Sequence, residues 1–186
     1  MLTVMPVLIA LLVVDRFGDS KDGITSELSD LAIAPAPASG PPIVGEQVEL
    51  RAALERSPYS VPLPASANLQ VPEEVWVSPE HIEPAFHQVY LIYPNRLRIS
   101  IGGNPEPLNL HLRSAPFRSA TVREHVASGK DTRLKTVSDG RQTNVPASLT
   151  WGVNQIRISL YHPTWTMDEL LKVARSMDDP VWTKGS

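Results

Sequence analysis

The clearest pattern of hydrophobic and polar positions lies in the last third of the chain, where residues 149–177 read LTWGVNQIRISLYHPTWTMDELLKVARSM. Leu149 to Trp151 predict a short strand, followed by a turn carrying Gly152 and Asn154. Ile156, Ile158 and Leu160 then alternate with Arg157, Ser159 and Tyr161, the two-residue period of a strand with one buried face. A helix follows over 166–177. Thr166 stands three residues before Glu169, the spacing of a capping box, and Trp165 and Leu170 are placed for a hydrophobic staple. Leu170, Leu171, Ala174 and Met177 form its apolar stripe, with Lys172 and Arg175 near the negative end of the helix dipole.

Upstream the pattern is more broken. GEQVELRAALER, from Gly45 to Arg56, predicts a helix stopped by Pro58, since a residue before proline is pushed out of helical geometry. SPYSVPLPASANL is irregular, and Val75 to Val77 predict a short strand. QVYLIY-PN-RLRISI predicts a hairpin. Its second arm alternates Leu97, Ile99 and Ile101 with Arg96, Arg98 and Ser100, which predicts one wet side. Gly102-Gly103 follows as a turn, and Leu108 to Arg113 alternates strictly. Strand-like pieces recur near 121–126 and 132–137, before a turn at Asp139-Gly140. Helices outside a run of strands predict an α+β fold: an antiparallel sheet of about six to eight strands with an N-terminal helix and a C-terminal helix packed on it.

The first residues follow another rule. Leu2 to Val14 is almost wholly apolar, long enough for a signal-peptide core and shorter than the ~20 residues of a full span. Three readings compete: the C-terminal half of a transmembrane helix, an unusual signal or short anchor, and a buried element of the domain. The Pro/Ala run APAPASGPP behind it has the composition of a semi-rigid stalk and favours the first two. The expected layout is a membrane-associated segment at 1–14, a stalk at 15–43, an extracytoplasmic domain at 44–178 and a tail at 179–186, with the chain a single-pass membrane protein.

Composition narrows the chemistry. Eighteen of 186 residues are proline, roughly twice the usual ~5%, and they fall between the periodic segments. A net charge of −3 lacks the basic footprint of a generic nucleic-acid binder. The absence of cysteine removes disulfides, thiol catalysis and cysteine-ligated metals. From Arg113 to Arg141 seven basic residues face three acidic ones, either a face toward an anionic surface or a solvated outer sheet face. Among the histidines (81, 87, 111, 125 and 162) no pair has metal-ligand spacing. The carboxylate pairs Glu73-Glu74, Asp168-Glu169 and Asp178-Asp179 carry no sign of the burial that a general acid needs. No nucleophile elbow or phosphate loop occurs. The expectation is a non-enzymatic domain with no catalytic, cofactor-binding or metal-binding residue. Trp76, Trp151 and Trp165 with Tyr59, Tyr90, Tyr93 and Tyr161 form either packing pairs or the lining of a groove.

From about Leu50 to Met177 the chain resembles the extracytoplasmic domain of unknown function at the C-terminal end of bacterial membrane-anchored anti-sigma factors and sporulation-associated proteins. The matching pieces are SPYSVPLP, VYLIYP, the LTW before a turn, and TMDELLKVARSM. That family is distantly similar to lipoprotein carriers and periplasmic sigma-factor regulators. The cytoplasmic sigma-binding part of the anti-sigma members is not among these residues, so it was cut away or this is a stand-alone anchored copy. The resemblance transfers no catalytic residue. It implies a membrane-tethered sensor or interaction domain in envelope or sporulation regulation, with the membrane and an envelope protein as partners and no nucleic acid. The alternative is a lipid or lipoprotein carrier holding an apolar ligand in a cavity on a curved sheet.

Overall fold

A computed structural model describes residues 42–65, 69, 71–79, 82–104, 117–136, 140 and 142–183. The expectations for the apolar segment at 2–14, for the stalk as far as residue 41 and for the strand at 108–113 therefore lie outside the described residues. The elements run β1 (Glu46–Gln47), α1 (Leu50–Arg56), β2 (Glu74–Val77), a 3-10 turn (Pro84–Phe86), β3 (Gln88–Ile92), β4 (Arg98–Gly103), β5 (Arg118–Val122), β6 (His125–Lys130), β7 (Arg133–Thr136), β8 (Gln142–Val145), β9 (Ala147–Val153), β10 (Ile156–His162) and α2 (Met167–Arg175). Eight strands form one antiparallel sheet in the order β1-β2-β3-β4-β10-β9-β6-β5, and β7 pairs with β8 in a separate ribbon. The fold is α+β, as the alternation of patterns predicts. None of the described helices is long and apolar enough to cross a membrane.

Directly paired residues of an antiparallel sheet share a face, so the register sorts every strand. On one face Val89 pairs with Ile101, Ile101 with Ile158, Ile158 with Trp151 and Trp151 with Ala127. These residues are buried, and α2 lies over them with Leu170, Leu171, Ala174 and the following Met177 in the same cluster. Gly129 lets the helix approach: a Cβ there would stand 2.6 Å from the Ser148 carbonyl oxygen and 3.0 Å from Met167 Sδ.

α2 starts where the sequence predicts. The Glu169 N–H donates to Thr166 Oγ1 at 3.3 Å, and the Thr166 N–H donates to Glu169 Oε2 at 2.7 Å. The Thr166 N–H, and the Thr166 hydroxyl donating to the same Oε2 at 2.9 Å, hold the Glu169 carboxyl below its ordinary pKa. A third free donor, the Met167 N–H, reaches Asp131 Oδ1 at 2.7 Å, and Arg118 holds the same carboxylate from β5. Trp165, placed by sequence for a staple, stacks on the His162 imidazole at 4.2 Å between ring centres.

Several expectations are corrected. The N-terminal helix spans only Leu50–Arg56, because Glu46–Gln47 pair with β2 instead. Gly45 makes that pairing possible, since a Cβ there would run into the Val77 carbonyl oxygen. Ile43, assigned to the stalk, is fully buried beside Trp76, so the folded unit begins earlier. Thr121–Val126 is two strands rather than one, joined by a tight turn with Arg123 at φ 51°. Gly102-Gly103 belongs to β4, paired with Arg157 and Ile156. Gly152 belongs to β9, and the turn is Asn154-Gln155, both at positive φ as a two-residue hairpin of primed type requires. The chain is tied down past 178 as far as Thr183: the Thr183 N–H donates to Pro58 O, the Ser60 N–H to Val181 O, and the Trp182 indole to Asn154 O at 2.8 Å.

A candidate binding groove on the polar face of the sheet

The opposite face of the sheet carries a row of hydroxyls. Tyr90 pairs with Ser100, Ser100 with Ser159, Ser159 with Thr150, Thr150 with Ser128, and Ser128 with Ser119. Each lies opposite an apolar neighbour on its own strand, so the same alternation that fills the core sets hydroxyls side by side on its reverse. Thr150 Oγ1 and Ser159 Oγ are 3.0 Å apart and share a proton donated by one of them. Ser128, Ser148, Thr150 and Ser159 are buried despite facing away from α2.

Cations flank the row on both sides. In the adjoining row Lys130 pairs with Ser148, Ser148 with Tyr161 and Tyr161 with Arg98. On the other side Arg157 stands between Gly152 and Gly102. Arg98 is the main departure from the sequence expectation: its alternation predicts a wet side, yet it is 1% exposed. Its guanidinium carbon lies 5.1 Å from the Tyr90 ring centre and 5.8 Å from that of Tyr161, within reach of the negative ring faces. Burial lowers the guanidinium pKa, and the two tyrosines oppose that shift. Arginine stays cationic in proteins, so a fixed positive charge underlies this face. Burial also raises the Tyr90 phenol, which keeps it a neutral donor and acceptor.

Together these residues bound a groove of about 590 Å³, lined by Pro42, Gln88, Tyr90, Ser100, Phe117, Lys130, Ser148, Thr150, Arg157, Ser159 and Tyr161. Lys130 Nζ lies 5.4 Å from the Phe117 ring centre at one wall. Among the described residues the lining includes neither a carboxylate nor an imidazole. Among the described lining residues, no hydroxyl has a neighbouring group of the kind that makes it a nucleophile. What the groove offers is hydrogen bonding, positive potential and aromatic walls. A second groove of about 430 Å³, between β1, α1 and the Val71–Glu73 stretch, places Glu49 and Glu73 beside Val48 and Leu50.

The residues weighed for chemistry on sequence lie scattered. His81 and His111 are outside the described residues. His87 is buried edge-on to Tyr59. His125 Nε2 meets Asp179 at 3.3 Å, and Asp178 meets Arg123 at 3.2 Å, so the last acidic pair is tied to the β5–β6 hairpin. His162 organises a turn: its Nε2–H donates to Asn95 O at 2.8 Å, while Nδ1 accepts from the Trp165 N–H at 3.1 Å and the Thr164 N–H at 3.2 Å. Among the described residues no group of three His, Asp or Glu side chains could hold a metal ion. Of the seven aromatics, Tyr90 and Tyr161 reach the groove. Trp151 is in the core and Trp76 packs with Ile43. Tyr59 is buried edge-on to Trp182 at 5.5 Å, and Tyr93 is buried with its phenol pushed up to about 12. Of the basic stretch, Arg118 and Arg123 are in ion pairs, Lys130 enters the groove, and Arg133 and Lys135 stand exposed on β7.

Sequence reasoning missed the hydroxyl row. Its signal was present in the polar alternate positions 100, 128, 150 and 159, but only strand order brings them into line. No protein-family model, curated protein or solved structure matches this chain.

Proposed function

We propose that this domain is a non-enzymatic sensor or interaction module, carried on the extracytoplasmic side of a membrane by the 1–14 segment and the stalk behind it, and that it engages its partner through the polar face of the sheet. One observation carries this reading: the two faces are built for different purposes. The face under α2 is filled by interdigitated apolar side chains, whereas the reverse holds a groove lined by hydroxyls, two cations and aromatic rings. Such a lining favours recognition over turnover, since it can orient and hold a polar group and, among the described residues, brings no carboxylate or imidazole to move a proton. Its polar floor also suits an exchangeable partner better than a lipid tail, which would leave buried hydroxyls facing hydrocarbon. The membrane tether and the regulatory role rest on the apolar segment, the stalk composition and the family resemblance.

Two measurements on the full chain test this reading. A reporter enzyme fused after Ser186, active only outside the cytoplasm, should be active. Native mass spectrometry of the detergent-purified chain should show no stoichiometric lipid. A reporter active only in the cytoplasm overturns the tether and its sidedness. A stoichiometric apolar lipid overturns the interaction reading in favour of the carrier.

A further inference from the structure

We infer that the junction between β10 and α2 is a proton-operated latch: a proton on His162 Nδ1 opens the 163–165 bend and releases its hold on the β7–β8 ribbon while the sheet stays folded. The latch is a property of the fold and holds whatever the polar face binds.

His162 is placed to tie several segments together. It ends β10, is 4% exposed and stacks on Trp165 with the ring planes 16° apart. Its Nε2–H holds the Asn95 carbonyl of the β3–β4 turn, and its Nδ1 accepts from the Thr164 and Trp165 N–H groups. The bend so formed presents its own carbonyls to the ribbon. Thr132 Oγ1, just ahead of β7, lies 3.3 Å from Pro163 O and 2.9 Å from Trp165 O. Asn144 of β8 donates to Pro163 O at 2.8 Å. Trp165 then leads into the Thr166 cap of α2. Ribbon and helix start therefore depend on the shape of a three-residue bend, and that shape rests on Nδ1.

A proton removes this acceptor. Neutral imidazole has one donor and one acceptor nitrogen, whereas the cation has two donors. With Nε2 already donating, the added N–H points at two backbone donors. The Thr164 hydroxyl stands 3.5 Å from Nδ1, and for it to accept, the bend has to turn those backbone N–H groups away. Among the described residues the charged groups around the ring are Glu169 in the first turn of α2 and Arg96 in the β3–β4 turn. Asp131, paired with Arg118, reaches the Met167 N–H at the same helix start. Burial lowers the imidazole pKa and Arg96 adds to that; the Asn95 carbonyl and Glu169 oppose it, as does the indole face.

In the open bend the ring returns to its ordinary pKa of about 6.5. The latch is thus at full strength above pH 6.5 and weakens as pH falls toward the lower closed-state value. Ile101, Ile158 and Trp151 under α2 take no proton, so the sheet keeps its core. The result is a local opening, distinct from global unfolding.

Amide hydrogen exchange by NMR on the full chain in detergent, corrected for the intrinsic pH dependence of exchange, tests this. From pH 7.0 to 5.0 the Thr164 and Trp165 amides should open at least about fivefold more often, with a ceiling of about tenfold per pH unit for one proton. The Asn144 side-chain amide, held by Pro163 O, should lose protection with them. Backbone amides of residues 149–151 in β9 should keep theirs. The His162 ring signals should titrate below pH 6.5. His162→Gln, which keeps a neutral acceptor, should remove the pH dependence; His125→Gln, at the histidine that meets Asp179, should keep it. If His162→Gln does not fold, the ring titration and amide exchange of the unmutated chain decide. Exchange at Thr164 and Trp165 that ignores pH, an Asn144 side chain that stays protected, or an equal rise at 149–151 overturns the inference. So does the same rise in His162→Gln, or a ring that titrates above 6.5.

Discussion

The two faces of the central sheet follow the same backbone and share every strand, yet they obey different rules. Under α2, Trp151, Ile158 and Ile101 stand side by side and are buried; the chemistry is uniform and only shape distinguishes one neighbour from the next. On the reverse, Ser159 and Thr150 are also buried, but there each polar atom must find a partner and each cation a compensating ring or solvent. Burial alone does not identify a core. What separates the faces is whether removing a side chain opens a cavity or strands a polar group.

Stability measurements sharpen that contrast. The largest effect is expected on the helix face, where Trp151→Ala should cost about 3–5 kcal/mol in urea unfolding of the full chain. A loss under 1 kcal/mol would mean that the face under α2 is not the core. On the hydroxyl face Thr150→Val alone should cost about 1–3 kcal/mol, because it leaves the Ser159 hydroxyl without its 3.0 Å partner.

His162 gives a pH-dependent test at the rim. Its Nδ1 already accepts two backbone N–H groups, so a proton there would face two donors, and burial pushes the imidazole pKa below 6.5. The unfolded chain therefore binds the proton first as pH falls. The stabilisation is complete above the unfolded pKa of about 6.5 and is lost as pH drops toward the folded value, with a slope of at most about 1.4 kcal/mol per pH unit for one proton. His162→Gln should flatten that part of the profile; an unchanged slope would exclude His162 as its source.

Thr166→Ala should cost about 1 kcal/mol by thermal melting, through loss of the cap. The smallest effect is the most diagnostic. Thr150→Val with Ser159→Ala removes both partners at once without enlarging either side chain and should change stability by less than about 1 kcal/mol. A loss comparable to that of Trp151→Ala would show that the hydroxyl face is a second core and not a groove floor.

The parts of this fold that the sequence makes legible are those whose causes are local. The capping box at Thr166 and Glu169 and the alternation in Ile156 to Leu160 act between near neighbours, and both appear as predicted. Glu46–Gln47 is a strand and not helix because its partner is β2, and no helical propensity within 45–56 reports a strand waiting at Trp76 and Val77. The alternation in β4 is present, but its polar side is not wet at Arg98. A polar position on a strand means solvent only if nothing covers that face, and Arg98 lies between two tyrosines from neighbouring strands. The groove was illegible for the same reason. It assembles from β3, β4, β10, β9 and β6, whose sequence order differs from their order in space.

That strand order also has a consequence in time. Synthesis runs from β1 toward β10, and β1 to β4 are contiguous both in the chain and in the sheet. β4 therefore leaves the ribosome with one edge satisfied by β3 and the other open, presenting Ile99 and Ile101 until Ile156 to His162 arrive to pair with it. Closing that gap requires contacts far apart in the chain, the kind that slows folding, and an open apolar strand edge is a template for another chain. Nascent chains halted between Gly103 and Ile156 are the species in which this protein is most exposed to aggregation, and its last strand acts as the stopper that ends the danger.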